Sequence, residues 1–595
     1  MSQSLIPVVP KISLYRDAVN VYVIQWDDGE TGLFDLGSGA VLGAMQGAGM
    51  KAPSLVLHTD YRRDRVFGHH SHPGLPVAIG ERDAPYLENA AGIWQDLQVA
   101  HGYAGYERFL CPRLSVPAEL RLTDGQLPRP WRKPYVYAQH LGAHTPGGMG
   151  YLIVDGDTRM LVSGDILQHD GTLHSIHELQ RSYNFMEGLH ALRRAVGWLA
   201  SGDIDVLLPA HGDPVIGREN VMSAANAALE RIDDFWSRWR LIWPDQPQGH
   251  VFDFDPITPH LRGASNRIQY AIVDDDGAAV FFDAGVSYPD GFETVLEDKG
   301  IRDVEWCIIT HHHDDHLMGY DWLREKYGTR LATHECMVDV LERPQGYSLN
   351  CLHDRPYKVD MVMREGVPMR WRGFDIVPHF FPSQTEYHAV YFCEVDEQMV
   401  LFSGDALYWE ADHETIRPTD PDWRNWFDVD GGYLVGAKLL RKYQPRLLAA
   451  AHVHPWPITQ AACNGFEAHA TDFHDSLRAL VGRRHPSLGI NPFLISVYPY
   501  RAQLQQRTHL EVRVVNPLDE FVVVRAQPRL PEGFSARPDK LEIELGPKER
   551  ARVPLTIIPD AGLEIPARVI WTLRVIFDGE DLGEYCEGML EAVVS

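Results

Sequence analysis

The sequence has few basic residues for its length and contains no long uncharged segment. Its 595 residues include 55 Lys and Arg against 82 Asp and Glu, which gives a net charge of −27. This excess of negative charge repels polyphosphate and argues against nucleic acid or an anionic membrane surface as a partner. No uncharged run approaches the roughly 18 residues of a transmembrane helix, and the N-terminus does not resemble a signal peptide. We therefore expect a cytoplasmic protein that acts on a small molecule and could form a homodimer.

Cysteine is also scarce. The seven cysteines are scattered along the chain, and none lies in a Cys-x-x-Cys motif. An odd number without paired spacing is typical of reduced thiols in a cytoplasmic protein, and it argues against a disulfide framework or a metal-sulfur cluster. The cysteines are Cys111, Cys307, Cys336, Cys351, Cys393, Cys463 and Cys586.

The chain contains an internal repeat. At roughly 150 residues per domain, its length predicts two to four domains. Several short segments recur about 240 residues later with nearly constant spacing, which we interpret as a duplicated domain. The matching pairs are residues 31–37 with 279–285, 160–165 with 400–405, and 208–214 with 449–455.

The pattern of apolar residues predicts two kinds of domain. Within each copy of the repeat, short β-branched runs alternate with amphipathic stretches, which predicts an α/β fold with sheets covered by helices. From about Ser487 onwards, apolar and polar residues alternate with period two, which predicts a small antiparallel β-sandwich of immunoglobulin-like type. The predicted domains are 1–245, 246–486 and 487–595.

The strongest chemical signal is a histidine cluster at residues 311–316, which reads His-His-His-Asp-Asp-His. It follows a strand-like run directly and precedes a helical pattern. A loop in this position can aim His311 and His313 toward one point, while Asp315 and His316 reach a second point. Imidazole and carboxylate ligands suit Zn²⁺, with Fe²⁺ or Mn²⁺ as alternatives.

This cluster, followed by a Ser-Gly-Asp strand end and a late histidine, resembles the metallo-β-lactamase superfamily. The resemblance covers both copies and implies an αββα sandwich, here duplicated, ahead of the all-β C-terminal domain. It also implies one or two metal ions, for which zinc is the first expectation. In this resemblance His311 and His313 bind the first metal, Asp315, His316 and His452 bind the second, and Asp405 bridges them.

One position of the second copy departs from the family pattern. The family places a first-metal histidine in a Pro-Gly-His-Thr turn, and the first copy keeps this histidine as His144. The second copy has Gln384 there, whose amide oxygen is a weaker ligand than imidazole. Either Gln384 serves as a weak ligand, or His388 or His379 takes its place.

The first copy lacks most of the residues that correspond to the histidine cluster 311–316. By alignment, Asp60, Arg62 and Arg65 stand where the second copy has histidines. A guanidinium group cannot bind a cation, because it is a permanently charged donor. We expect Arg62 and Arg65 to fill the vacated cavity and pair with the retained Asp165. The first copy is thus interpreted as a pseudo-domain that serves as a scaffold or shapes the substrate entrance.

The resulting functional prediction is a metallohydrolase. Its metal-activated hydroxide would attack an ester, lactone or thioester of a small molecule. Asp315 is the candidate for orienting the water or moving its proton, and His388 and Tyr408 are candidate donors to the developing negative charge. An iron-dependent sulfur or oxygen redox enzyme and a non-catalytic binding or assembly protein are the two alternatives.

Overall fold

The computed structural model divides the chain into two compact units. One contains residues 1–97, 105–234 and 477–595, and the other contains residues 98–104 and 235–476. The residues described are 4–100, 111–125, 134–176, 185–239, 254–263, 268–285, 288, 290–349, 351–410, 412, 414–418 and 431–592. Below, the first half means residues 4–239, the second half 254–480, and the C-terminal part 487–592. The predicted boundary between residues 245 and 246 lies outside the described residues.

The described residues of the first half form two sheets. In the first sheet the strands lie side by side in the order in which they occur in the chain. The first four strands pair with their neighbours in antiparallel fashion, and the fourth to seventh strands pair in parallel. Its strands are Ile6–Val9, Ile12–Arg16, Asn20–Gln25, Thr31–Phe34, Val56–Leu57, Val77–Gly80 and Leu120–Leu122. The second sheet is antiparallel except between its third and fourth strands. Its strands are Tyr135–His140, Met149–Asp155, Thr158–Gly164, Val206–Pro209 and Val215–Ile216.

Among its described residues, the second half repeats the strand order and directions of the first, with one additional strand, Met369–Trp371, in its second sheet. Its first sheet again has four antiparallel strands followed by parallel ones. These strands are Asp255–Pro256, Leu261–Gly263, Tyr270–Val273, Ala278–Phe282, Asp303–Ile309, Arg330–His334 and Met361–Met363. Its second sheet contains Met369–Trp371, Phe374–Phe380, Ala389–Val395, Gln398–Gly404, Leu447–Ala450 and Trp456–Pro457. A separate hairpin pairs Leu407–Trp409 with Ile416–Pro418.

Each half buries the space between its two sheets. In the first half, Tyr22 and Ile24 face a cluster that includes residues of both sheets, while Val21 and Val23 face the helix Val41–Gly47. Burial on both faces is what a sheet covered by helices requires. In the second half one large cluster likewise joins residues of both sheets. The α/β sandwich predicted from the sequence is therefore confirmed.

The helices connect these strands. In the first half they are Val41–Gly47, Arg63–Val66, Ala84–Glu88, Ala90–Asp96, Phe185–Ala200 and Arg218–Trp239. In the second half they are Phe292–Asp298, Tyr320–Tyr327, Val338–Glu342, Gly432–Tyr443 and Gln460–Leu480, and Ser487–Ile490 begins the C-terminal part. Three short 3₁₀ helices in the described residues are Phe67–His70, Asp314–His316 and Pro344–Gly346. None of the described helices is long and apolar enough to cross a membrane.

The C-terminal part consists of two β-sheets that share a buried cluster. One contains Ile495–Tyr498, Thr508–Val515, Phe534–Arg537 and Arg550–Pro559, and the other Arg501–Gln503, Val522–Arg529, Leu541–Leu545, Arg568–Phe577 and Glu580–Glu591. Both sheets belong to the same compact unit as the first half. Arg63 and Glu587 form a buried ion pair at 2.7 Å between these two parts. Arg568 also donates to the carbonyl groups of Gln95 and Leu97 at the end of the helix Ala90–Asp96.

Candidate metal centre in the second half

The candidate site forms where three strands of the second half end. The histidine cluster follows the strand Asp303–Ile309, Asp405 follows Gln398–Gly404, and His452 follows Leu447–Ala450. Gly404 has a φ of +51°, and a Cβ at this position would lie 2.3 Å from Thr310 Oγ1. Only glycine therefore allows the strand that carries Asp405 to approach the histidine loop so closely.

The side chains that converge form two groups of possible metal ligands. His311, His313 and Asp405 make up the first group, and Asp315, His316 and His452 the second. Within each group the ligand atoms all lie within 4.8 Å of one another. The first group is fully buried, whereas Asp315 and His452 are partly exposed. The structure thus brings together six of the residues singled out from the sequence.

The carboxylate of Asp405 lies between the two groups. Its Oδ2 is 3.9 Å from His311 Nε2 and accepts a hydrogen bond from Gln384 Nε2 at 2.9 Å. Its Oδ1 is 3.5 Å from the Nε2 atoms of both His316 and His452. One carboxylate oxygen therefore faces each group.

Asp283 orients His316 and was not identified as a site residue from the sequence. Its Oδ2 lies 2.9 Å from His316 Nδ1, so that Nε2 is left to face the second group. The same carboxylate accepts hydrogen bonds from the N and Oγ1 of Thr310, both at 2.8 Å. Carboxylates that hold a metal-binding imidazole in this way fix its tautomer and orientation. Asp283 lies in the repeated segment 279–285, which marked the duplication but gave no sign of this contact.

The ionisation states of the candidate ligands differ from one residue to the next. Burial and the neighbouring imidazoles of His316 and His313 hold the pKa of His311 well below its usual range, so its ring is neutral. Burial alone would raise the pKa of Asp405, but His452 and His316 outweigh it and hold that pKa well below the usual range. Burial would lower the pKa of His316, yet Asp283 and Asp405 raise it well above 6.5. A neutral imidazole and an ionised carboxylate are the forms that bind metal ions, so His311 and Asp405 can bind one directly, whereas His316 has to release a proton when a cation binds.

Gln384 and the two histidines proposed to replace it occupy different environments. The Gln384 side chain is buried beside Asp405, and its Oε1 has no hydrogen-bond partner among the described residues. His379 lies elsewhere, since its ring nitrogens contact Glu365 Oε1 at 2.6 Å and Tyr443 OH at 2.7 Å. The suggestion that His379 replaces the missing ligand is therefore wrong. His388 is fully buried and stacks on His311 with ring centroids 4.8 Å apart, but it belongs to neither ligand group.

The three candidate catalytic residues are placed differently. Asp315 keeps 24% of its side chain exposed and lies 3.5 Å from His452 Nε2, at the open side of the site. His388 lies behind His311, and its backbone forms a β-bridge with that residue. Tyr408 is buried in the hairpin strand Leu407–Trp409, where it lies opposite Arg417 of the neighbouring strand. Asp315 is thus the only one of the three that this geometry leaves accessible to solvent.

The match to a known protein family lies in the second half. Residues 267–452 match the family model of the metallo-β-lactamase superfamily. This part of the second half is similar to that superfamily. Members of the metallo-β-lactamase superfamily are metal-dependent hydrolases that usually bind zinc.

Individual relatives match less of the sequence. Over 71 residues, the chain is 41% identical to hydroxyacylglutathione hydrolase of Stenotrophomonas maltophilia (strain R551-3). The match covers 12% of this chain and 26% of that protein, so the chain spans about a quarter of its length. The solved structure of BJP-1, a subclass B3 metallo-β-lactamase of Bradyrhizobium japonicum, is 18% identical over 40% of this chain and 96% of its own, with a TM-score of 0.31. MEM-A1, a subclass B3 metallo-β-lactamase from a soil metagenome library, is 16% identical to this chain. The match covers 39% of this chain and 94% of MEM-A1, with a TM-score of 0.30.

The side chains present fit the metal ions that metallo-β-lactamases bind. Four polar atoms around the site are buried and have no hydrogen-bond partner among the described residues. Unpaired buried polar atoms are costly, and a cation bound between them would satisfy several at once. These atoms are His311 Nε2, His316 Nε2, Gln384 Oε1 and Asp405 Oδ1.

The first half preserves the supporting frame of this candidate site. Asp35 accepts hydrogen bonds from N and Oγ1 of Thr59 at 2.9 and 2.8 Å, as Asp283 does from Thr310. Asp35 and Asp283 also share a positive φ, 58° and 62° respectively. The matched frame therefore pairs Asp60 with His311, Arg62 with His313 and Arg65 with His316.

Two arginines occupy the interior of the first-half site. Arg62 Nη2 and Arg65 Nη2 lie 2.8 and 2.5 Å from Asp165 Oδ2, and both side chains are almost fully buried. Asp165 Oδ1 lies 2.6 Å from His211 Nδ1. Burial would raise the pKa of Asp165, but Arg65, His211 and Arg62 hold it well below its usual range. The prediction that the two arginines pair with Asp165 is confirmed.

Replacing Arg65 with methionine is expected to destabilise the unit that contains the first half. The side chain is fully buried, and its loss leaves Asp165 with less compensation in a site closed to water. Removing one partner of a buried ion pair typically costs about 3–5 kcal/mol. Arg193→Met provides the matched control, because Arg193 pairs with Asp233 on the surface and such pairs contribute less than about 1 kcal/mol. Urea denaturation measures the free energy of unfolding of both variants. Equal losses of this free energy in Arg65→Met and Arg193→Met would contradict the structural role of Arg65.

Proposed function

We propose that the second half is a metallohydrolase site that holds two divalent cations, with zinc as the resident metal. The observation that carries this proposal is the position of Asp405, which presents one carboxylate oxygen to each group of ligand atoms. The donor set of four imidazoles and two carboxylates suits zinc, and it contains no thiolate that would favour a softer metal. The first group holds its ion less tightly, because Gln384 stands where an imidazole is usual.

The chain's own residues would divide the work of hydrolysis. Bound divalent cations acidify water and polarise a carbonyl oxygen. Asp315, which is partly exposed beside His452, is placed to orient a water molecule or accept its proton. Asp283 and Thr310 hold the histidine loop in one arrangement. The buried first group excludes solvent from one side of the site.

The proposed substrate is an ester, lactone or thioester of a small molecule. Within this class, the partial match to a hydroxyacylglutathione hydrolase favours a thioester, because an acylated glutathione is one. The net charge of −27 favours a small molecule over a nucleic acid.

Hydrolysis assays with metal removal test this proposal. The purified chain is incubated with a hydroxyacylglutathione, an aryl ester and a lactone, before and after treatment with a chelator. We expect hydrolysis of at least one of them, its loss with the chelator and its recovery with zinc. No hydrolysis of any of the three by the zinc-loaded chain would contradict the proposal, and a requirement for iron with redox turnover would favour the redox alternative.

Replacing Gln384 with histidine is expected to tighten metal binding by the first group. Imidazole is a stronger zinc ligand than a neutral amide, so we expect the weaker dissociation constant to fall about tenfold, or ~1.4 kcal/mol. Competition with a fluorescent chelator measures this constant. Gln444→His, at a partly exposed helix end away from the ligand groups, is the control for adding a histidine. An unchanged constant in Gln384→His would show that residue 384 does not face the metal.

We infer that the first half arose by duplication and then lost its metal site. The shared strand order, the two Asp-Thr frames and the arginines at the positions of histidines support this interpretation. The proposed domains remain 1–245, 246–486 and 487–595. The first domain then serves as a scaffold, with the C-terminal β-sandwich packed on it through Arg63 and Glu587.

A further inference from the structure

A pocket lies beside the first-half site, between residues of the first half and the segments 482–484 and 574–581. The pocket has a volume of about 610 Å³ and lies within one compact unit. His211, the counterpart of the metal-ligand candidate His452, lines it together with the segments around Asp17 and Arg483. Pockets of roughly 300–1,000 Å³ are typical of small-molecule sites. This cleft is open although Arg62 and Arg65 occupy the interior of the neighbouring site.

The pocket is rich in arginine although the chain is acidic. Its lining includes Arg16, Arg483, Arg484 and Arg574, against the carboxylates of Asp17, Glu580 and Asp581. The chain as a whole has 55 basic side chains against 82 acidic ones. The balance of charge in the pocket is thus the reverse of the balance over the chain, which favours an anionic ligand.

The carboxylates of the pocket are already engaged by neighbouring groups. Asp17 accepts hydrogen bonds from the backbone N of Ala18 and from N and Oγ of Ser38. Glu580 pairs with Arg483 at 2.5 Å, and Asp581 pairs with Arg574 at 2.5 Å. These ion pairs reduce the negative potential of the carboxylates and the positive potential of Arg483 and Arg574 alike, so a ligand is left with the arginine N–H groups that lie outside the pairs.

Several arginines that line the pocket have N–H groups that are not used in the contacts with their neighbours. Arg16 uses Nη1 and Nη2 to contact Asn20, Gly212 and Asp213, and Arg484 uses Nε and Nη1 to contact Glu520 and Asp578. Each guanidinium carries five N–H groups, so these contacts do not exhaust either side chain. Arg574 Nε is buried and has no hydrogen-bond partner among the described residues. A planar fork of donors of this kind matches a carboxylate or a phosphate group.

The floor of the pocket cannot support metal chemistry. His211 is held by Asp165 Oδ1 at 2.6 Å and by the carbonyl oxygen of Ala18 at 3.0 Å, so both ring nitrogens are occupied. Its ring stacks on His174 with centroids 3.5 Å apart, which closes one wall. Arg62 and Arg65 occupy the interior beneath. A ligand in this pocket would be bound without being hydrolysed.

We propose that this pocket is a binding site for a small organic anion, a molecule that carries a carboxylate or a phosphate group. The guanidinium groups of Arg16 and Arg484 contact the anion directly from the two sides of the pocket, and Arg574 supplies a third donor. The pseudo-domain is then a ligand-binding domain as well as a scaffold. This proposal is independent of catalysis in the second half.

Isothermal titration of the full chain with inorganic phosphate and with glutarate tests the proposal. Both probes are titrated at constant ionic strength into the wild type and into Arg16→Gln and Arg484→Gln, whose side chains are 41% and 42% exposed and should not be needed for folding. Loss of a charge-assisted hydrogen bond should weaken binding about tenfold or more. Arg193→Gln, an exposed ion-pair variant of the same unit, is the control and should bind as the wild type does.

Each outcome decides the proposal. Binding of glutarate alone identifies a carboxylate ligand, and binding of phosphate alone identifies a phosphorylated one. Binding that is unchanged in both Arg16→Gln and Arg484→Gln would place the anion elsewhere, for example at the metal centre, and would overturn the proposal. Absence of binding of both probes at millimolar concentration would also overturn it.

Discussion

Replacing His316 with alanine is expected to abolish hydrolysis and to remove the metal ion of the second ligand group. His316 Nε2 is buried, faces Asp405 Oδ1 at 3.5 Å and is oriented by Asp283 from the other side of the ring. Bound metal supplies several kcal/mol of transition-state stabilisation, so the rate should fall by about a thousandfold or more. Hydrolysis rates and metal content measured on the same preparation check this expectation.

His144→Ala is the matched control for His316→Ala. His144 is the retained histidine of the first half, and its Nε2 lies 3.0 Å from the backbone carbonyl oxygen of Asp165. The arginines already occupy that site, so the variant should keep its metal content and its rate. Equal losses in the two variants would contradict the assignment of chemistry to the second half alone.

Restoring three histidines to the first half is expected to create a new metal site there. The triple variant Asp60→His, Arg62→His, Arg65→His removes both buried guanidinium groups and places imidazoles at the positions of His311, His313 and His316. His144, Asp165 and His211 are already present, and Asp35 and Thr59 keep the supporting frame. Elemental mass spectrometry should find one or two more zinc ions per chain than in the wild type.

A second set of variants separates metal binding from misfolding. Circular dichroism shows whether the triple variant is folded, and adding Asp165→Ala to it should remove the extra metal. Extra zinc that persists without Asp165 would show that the new histidines bind it outside the expected site. A folded triple variant with no extra zinc would contradict the equivalence of the two halves.

The candidate metal ligands could be predicted from the sequence because most of them lie close together in it. His311, His313, Asp315 and His316 belong to one loop, and the spacing of the repeat located Asp405 and His452. The pairing of Arg62 and Arg65 with Asp165 was also predictable, since a buried carboxylate whose metal is lost needs another cation.

Contacts between distant segments could not be predicted in the same way. Asp283 reaches His316 only because parallel strands bring their ends together, and an aspartate after a strand has many other roles. The buried pair Arg63–Glu587 joins residues more than 500 positions apart, and no periodicity in either segment indicates it. The exclusion of His379 likewise depended on its contacts with Glu365 and Tyr443.

The number and location of bound metal ions test the central claim most directly. Elemental mass spectrometry on the wild type and on Asp405→Ala, both purified without chelator and then dialysed against zinc, gives this number. We expect two ions per wild-type chain and the loss of both in Asp405→Ala, because its carboxylate faces both ligand groups. A wild-type chain without metal, or an Asp405→Ala chain that keeps both ions, would contradict a metal centre bridged by Asp405.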